Sequence, residues 1–131
     1  MVDYSEAVTL FEKRRDAWMA EDLDGYLALF HEDLVFQGPT GEPQHGRAVF
    51  ADLVRRSLKA FVPDGFDYHE ISVHGSKVLA EWTQAIRSRE SGQRLIWRGM
   101  SVCDLRDGLI VWWREYYDPA QLRKPRQSGS R

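Results

Sequence analysis

Between Ser5 and Ala20 apolar residues return at Ala7, Leu10, Phe11, Ala17 and Trp18. That is the three-to-four spacing of a helix with one apolar stripe. Glu6, Glu12, Lys13, Arg15 and Asp16 fill the other side. Asp22 can cap a second short helix, because its carboxylate accepts an orphan backbone N–H. The stripe of that helix is Leu23, Tyr26, Leu27 and Phe30, and His31-Glu32-Asp33 ends it. Leu34 to Gln37 reads as a short strand. Gly38-Pro39-Thr40-Gly41-Glu42-Pro43 is loop chemistry, with two Gly and two Pro in six residues. Gly46 opens a third helix, Arg47 to about Ala60, whose stripe is Val49, Phe50, Leu53, Val54 and Leu58, and Pro63-Asp64-Gly65 breaks it.

Beyond that point the period changes from helical to alternating. Phe66–His74, Lys77–Arg87, Arg94–Leu105 and Leu109–Asp118 read as four strands. The turns between them are His74-Gly75-Ser76, Glu90-Ser91-Gly92 and Arg106-Asp107-Gly108, the last with glycine where a hairpin asks for positive φ. Helices first and a meander afterwards predict an α+β fold with the helices on one face of a curved sheet. Residues 1–122 form one expected domain, and from Arg123 the basic run to Arg131 has no apolar anchor and reads as a frayed tail, residues 123–131.

Composition narrows the function classes. The net charge of −2 and the lack of a basic stripe argue against a nucleic-acid surface. The single cysteine, Cys103, cannot close an internal disulfide, so a reducing cytoplasm is the expected location. No apolar run approaches the ~18 residues of a membrane span, and the first residues do not have the pattern of a signal peptide, so no membrane partner is expected. His31, His45, His69 and His74 are dispersed, without the pairwise spacing of a metal site. Neither a nucleophile elbow nor a phosphate loop nor a dinucleotide fingerprint is present. The expected cofactor and metal content is none.

Three segments carry a resemblance: Phe30-His31-Glu32-Asp33-Leu34-Val35-Phe36, Gly41-Glu42-Pro43-Gln44-His45-Gly46-Arg47 and Trp113-Arg114-Glu115-Tyr116-Tyr117-Asp118. In this order they resemble the nuclear transport factor 2-like superfamily, and within it the SnoaL-like, limonene-epoxide-hydrolase-like and ketosteroid-isomerase-like enzymes. The resemblance covers roughly Ser5 to Leu122. It implies a cone, in which a curved sheet wraps a deep apolar pocket and the helices close one side. It also implies a homodimer through the outer sheet face, where Arg114 and Tyr116 would sit. The epoxide-hydrolase-like pattern has its key aspartate where this chain has Glu115, pointing inward. Alternation then places Trp113, Glu115 and Tyr117 inside on the last strand, Trp97, Gly99, Ser101 and Cys103 on the third, and Trp82, Gln84 and Ile86 on the second.

Glu115 is thereby a carboxylate among aromatic rings, and desolvation should raise its pKa toward the working range of a general acid or base. Gln84 would hydrogen-bond it or orient a substrate carbonyl. Tyr26, Tyr117 and the Trp97 indole would donate to a developing oxyanion. Trp18, Trp82, Trp113, Phe36 and the loop residue His45 complete the expected substrate contacts. A lone inward glutamate can equally be structural, paired with Arg98, Arg87 or Arg114, and the Trp and Tyr side chains can equally be core.

Departures from the family patterns limit the chemistry. The isomerase aspartate position falls on Gly38, which moves no proton. Of the Asp–Arg–Asp set of the limonene-type hydrolases only the last-strand carboxylate survives, as Glu115, because the other two positions fall on Trp82 and Gln84. The Tyr and Asn that help hold the water fall on Phe36 and Gly38. Three readings follow: a cofactor-free cyclase or isomerase acting on a small apolar molecule, a non-catalytic module that binds such a molecule, and an epoxide hydrolase with a rearranged site.

Overall fold

The computed structural model describes residues 1–123. The expected tail lies outside them save for Arg123. The chain runs α1 (Tyr4–Met19), α2 (Leu23–Leu27), β1 (Phe30–Gln37), β2 (Gln44–His45), α3 (Arg47–Ala60), β3 (Phe61–His74), β4 (Lys77–Ser88), β5 (Arg94–Arg106), β6 (Leu109–Tyr117) and a closing 3-10 turn, Pro119–Leu122. One mixed, open sheet holds all six strands in the order β2-β1-β6-β5-β4-β3. β3 to β6 form the antiparallel meander, and β1 returns to lie parallel to β6. This is an α+β architecture, with the helices gathered on the concave side of the sheet.

Local chemistry accounts for most of the boundaries. The Asp22 carboxylate accepts from the Gly25 N–H at 3.0 Å and starts α2. Gly46 sits at the N-cap of α3 with φ of +100°, a region a residue with a Cβ avoids, and its N–H bonds the Leu34 carbonyl. The Asp107–Gly108 turn has positive φ at both residues, as a two-residue hairpin requires.

Two boundaries differ from the sequence pattern. Phe30, at helical spacing after Tyr26, is instead the first residue of β1, opposite Ile110. The Ile110 N–H donates to the Leu29 carbonyl, so pairing with β6 takes the backbone that another helical turn would have used. The second difference concerns Pro63-Asp64-Gly65, which is not a break. The strand begins at Phe61, directly after α3, and its ladder with β4 shifts between Pro63 and Gly65. β3 is an edge strand, where a residue with no N–H to donate is tolerated, especially at a bulge. Asp64, at the shift, accepts from both Arg87 and Arg94.

Alternation along β4 to β6 sets the two faces of the sheet. Val78, Ala80, Trp82, Gln84 and Ile86 are buried on β4, and Leu95, Trp97, Ser101 and Cys103 on β5. Ile96, Met100 and Tyr116 stand exposed on the other face, Met100 directly opposite Tyr116. The core joins helices to sheet through aromatic contacts. The fully buried Phe30 ring lies 4.8 Å from Phe50 of α3, 5.2 Å from Tyr26 of α2 and 6.0 Å from Trp113 of β6.

Candidate active site

The concave face of the sheet and α1, α2 and α3 line an open cavity of about 340 Å³. Its wall is largely apolar: Phe36, Phe50, Leu53, Val54, Phe61, Ile86 and Leu122 among others. A few polar groups interrupt it, namely Arg14, Ser57, Gln84 and Glu115 with the phenols of Tyr26 and Tyr117. An apolar hollow with few polar groups is the usual form of a small-molecule site.

Strand register puts Glu115 where it is. Ser101 of β5 is opposite Glu115, and Ala80 of β4 is opposite Ser101. In the next row Trp82, Gly99 and Tyr117 align across β4, β5 and β6. Gly99 leaves room there: a Cβ on it would lie 3.0 Å from the Trp82 ring and 2.5 Å from the Tyr116 carbonyl. Trp82 occupies that space and donates its indole N–H to the Ser101 hydroxyl at 2.9 Å.

The partner of Glu115 comes from a helix. Arg14 of α1 is only 4% exposed, and its Nη2 lies 3.7 Å from Glu115 Oε2. Arg98, Arg87 and Arg114, the three arginines expected as alternatives, are not that partner. Arg87 bonds Asp64, and Arg114 lies over the Trp112 ring. Arg98 projects outward from β5 and is exposed. Arg14 was legible in principle. It stands seven residues after Ala7, three after Phe11 and four before Trp18, squarely on the apolar stripe of α1. A cation on an apolar stripe is the signal, because arginine is rarely so buried without a partner.

Arg14 is also caged. Its guanidinium carbon is 4.2 Å from the centre of the Trp113 ring, 5.3 Å from Phe66 and 5.6 Å from Tyr26, distances at which ring faces attract a cation. Its Nη1 donates to the Tyr68 hydroxyl at 3.1 Å. Burial works against this charge, but the neighbouring Tyr26, Tyr68 and Glu115 outweigh it and hold the proton more firmly than usual.

Burial pushes the Glu115 carboxyl above the usual carboxylate range; Arg14, the Trp113 indole and the Ser101 hydroxyl pull it partly back. Tyr26 is pushed up to about 12, chiefly by burial, and Tyr117 is raised by burial and by Glu115. Both phenols therefore keep their protons at neutral pH and can only donate or accept a hydrogen bond. Cys103 is likewise pushed up by burial to about 12, which leaves a neutral thiol.

Of the residues expected at the site, Gln84, Trp97, Tyr117, Trp113, Tyr26, Trp18, Phe36 and Glu115 line the cavity. Two do not. Trp82 is fully buried behind the wall, held by Ser101 and edge-on to Trp97 at 6.2 Å, so it supports the wall and does not face the hollow. His45 is exposed on β2 and is absent from the lining, because pairing of β2 with β1 carries it to the sheet edge. Besides Arg14, the pattern gave no cavity role to Phe50, Leu53, Val54 or Phe61. The stripe that holds Phe50, Leu53 and Val54 predicts a packed helix face and cannot say whether it meets side chains or a hollow, and Phe61 falls between the expected helix and the expected strand.

The fold and the hollow define a cone-shaped domain of the nuclear transport factor 2-like kind. Residues 11–113 match the family model of the SnoaL-like domain, and the chain belongs to that family. Among solved structures it is similar to an epoxide hydrolase of Mycobacterium tuberculosis related to the limonene type, with 28% identity, a TM-score of 0.78 and coverage of 89% of this chain and 86% of that one. A proposed isomerase of Bacillus subtilis superposes with a TM-score of 0.82 at 23% identity, covering 92% of both chains. A proposed polyketide cyclase of Xanthomonas campestris does so at 0.76 and 24%, covering 90% of this chain and 94% of that one. The last two are fold likenesses.

Proposed function

We propose that this protein is a proton-transfer enzyme, an isomerase or cyclase of the SnoaL-like type, acting on a small apolar molecule with Glu115 as general acid/base. The observation that carries this reading is the placement of Glu115. It is a carboxylate in an apolar hollow, its side chain 16% exposed, and its proton affinity is set between burial and the Arg14 charge. A base poised nearer neutrality than an ordinary carboxylate suits such work.

In the step envisaged, the Glu115 carboxylate takes a proton from a carbon next to a substrate carbonyl. The C–H electron pair becomes a C=C bond, and the carbonyl π pair moves onto oxygen. Return of the proton at another position completes an isomerisation; in a cyclisation the enolate carbon attacks a second carbonyl, whose π pair moves onto its oxygen and takes the proton back from the Glu115 carboxyl. Gln84, paired across the sheet with Trp97, is suited to hold the substrate by its amide. No cofactor enters this scheme.

Proton NMR in D₂O tests the reading with a panel of apolar cyclic ketones, 1-tetralone among them. The wild-type protein is expected to exchange the protons next to the carbonyl. Glu115→Gln keeps the shape and should slow exchange by roughly 10²–10⁴-fold, the usual size of a general-base contribution. Exchange by the variant at the wild-type rate would overturn the role. Binding without exchange for every member, with affinity unchanged in Glu115→Gln, would favour the binding-module reading.

One observation favours a second reading. Arg14 places an ionisable group beside Glu115, which an epoxide hydrolase with a rearranged site requires. The acid that would protonate the epoxide is the weak point, since Gln84 stands at its expected position. Diol formation from an apolar epoxide, lost in Glu115→Gln, is the outcome that would prefer it.

A further inference from the structure

Gln84 is a buried polar group that nothing in the protein satisfies. It is only 5% exposed and lines the cavity, in a row of the sheet between Phe66 of β3 and Trp97 of β5. Its side chain makes no hydrogen bond among the described residues, yet neither of its polar atoms is among those shut off from solvent. With the rest of the side chain buried, the open side of its amide is the cavity.

Gln84 does not hydrogen-bond Glu115. The groups that bear on that carboxyl are Arg14, Trp113 and Ser101. The residues paired with Gln84 and Glu115 on β5, Trp97 and Ser101, are four apart, which is about 13 Å of extended strand. The row between them ends in Tyr117, which also lines the cavity. A ligand that reaches both groups therefore meets them at two different points, its reacting carbonyl at Glu115 and another group at Gln84. The amide says what that group is. It offers one acceptor oxygen and two N–H donors. A ligand that fills the hollow displaces water from them, and affinity is lost unless the ligand takes over those hydrogen bonds. A carbonyl or an ether accepts from Nε2 and gives nothing to Oε1. A carboxylate does no better, and it would bring a charge to a wall where Arg14 and Glu115 already balance and no other residue is charged. A hydroxyl donates to Oε1, accepts from Nε2 and adds no charge.

We infer that Gln84 is a specificity-determining residue that reads a hydroxyl group of the substrate, and that the site takes an uncharged hydroxylated ketone whose frame is otherwise apolar. The inference rests on the proton-transfer reading of Glu115 for the ketone and on Gln84 alone for the hydroxyl. Gln84 is thereby a binding residue and takes no part in moving the proton. A site built to hydrogen-bond a hydroxyl also rejects the analogue without one, because its own polar group is then left unmatched.

The experiment measures binding, so that it stands apart from the role of Glu115. 1-Tetralone, its 5-, 6- and 7-hydroxy derivatives and their methoxy counterparts are titrated by calorimetry into the wild-type protein, Gln84→Met and Glu115→Gln. At least one hydroxy isomer should bind the wild type about three- to tenfold more tightly than 1-tetralone, the size of one hydrogen bond, and its methoxy counterpart should not. Gln84→Met should erase that preference and bind 1-tetralone itself more tightly than the wild type does, since no amide is then left unmatched. A second measurement does not depend on the variant folding. In the wild type the side-chain amide protons of Gln84 should move further downfield in NMR with the preferred hydroxy isomer than with 1-tetralone. No preference for any hydroxy isomer, a preference that survives in Gln84→Met, or amide protons that respond alike to both ligands would each overturn the assignment. Glu115→Gln should keep the hydroxyl preference. If it does so while exchanging protons at the wild-type rate, the Gln84 assignment stands and the acid/base role falls; if exchange is lost but no hydroxy isomer is preferred, the reverse holds.

Discussion

Arg14 and Glu115 are unequal partners. Arg14 is so well surrounded that it stays charged at any pH the fold survives. Glu115 can change state, and its raised pKa has a sign that can be worked out. The unfolded chain releases this proton near the ordinary value of about 4.5, whereas the folded chain holds it to higher pH. The native state therefore binds more protons in that window, and the contribution of Glu115 to stability falls as pH rises from about 4.5 through its folded pKa. Urea midpoints of the wild type measured from pH 4 to 8 should contain this fall, and Glu115→Gln should flatten it. A slope unchanged by the substitution would mean that Glu115 ionises as freely in the fold as out of it. Asp64 acts in the opposite sense. Hydrogen bonding from Arg94, with Arg87 close by, holds it below its usual range, so its contribution is present above about 3.8 and lost in more acid solution.

At the scale of elements, β5 depends on a residue that is not there to be packed. Gly99 stands between Trp82 and Tyr117 in one row of the sheet, and its φ is not positive, so its purpose is space and not conformational freedom. In Gly99→Ala the new methyl would meet backbone at 2.5 Å and Tyr117 Cβ at 2.7 Å, neither of which is the free end of a flexible side chain. We expect a loss of about 1–3 kcal/mol or more, as overpacking of a well-filled core generally costs, read from the denaturation midpoint. The near-ultraviolet circular dichroism of Trp82 and Trp97 should change with it. Wild-type stability in this variant would show that β5 and β6 can part without cost.

Phe30 decides more at the scale of the molecule than its place near the start of β1 would imply. Its ring touches α2 through Tyr26, α3 through Phe50 and β6 through Trp113, so one side chain ties the helix layer to the centre of the sheet. Truncating such a buried ring generally costs about 3–5 kcal/mol, a large part of the ~5–15 kcal/mol that holds a domain together. Phe30→Ala should lower the thermal midpoint steeply and weaken ligand binding with it, because Tyr26, Phe50 and Trp113 also line the cavity. Thermal melts with and without 1-tetralone would check both effects.

The division between sequence and structure runs along the same scales. Local rules were enough for the Asp22 cap, the three helices and the four meander strands, because period and turn chemistry act over a few residues. Alternation put Trp113, Glu115 and Tyr117 on one face of the last strand, and the resemblance to the epoxide-hydrolase-like pattern said that this face turns inward. What lay beyond the sequence was everything that depends on which surfaces meet. Phe30 left the helical pattern because β6 offered its backbone a better partner. Pro63 was absorbed because its strand happens to be an edge. Trp82 was turned from ligand contact to wall support by the Ser101 hydroxyl across the sheet. The partner of Glu115 is more than a hundred residues upstream, on a helix that only the fold of the cone brings over β6. A charge on an apolar stripe announces that a partner exists. Only the tertiary structure, which sets burial and distance together, says that the partner is the catalytic candidate itself.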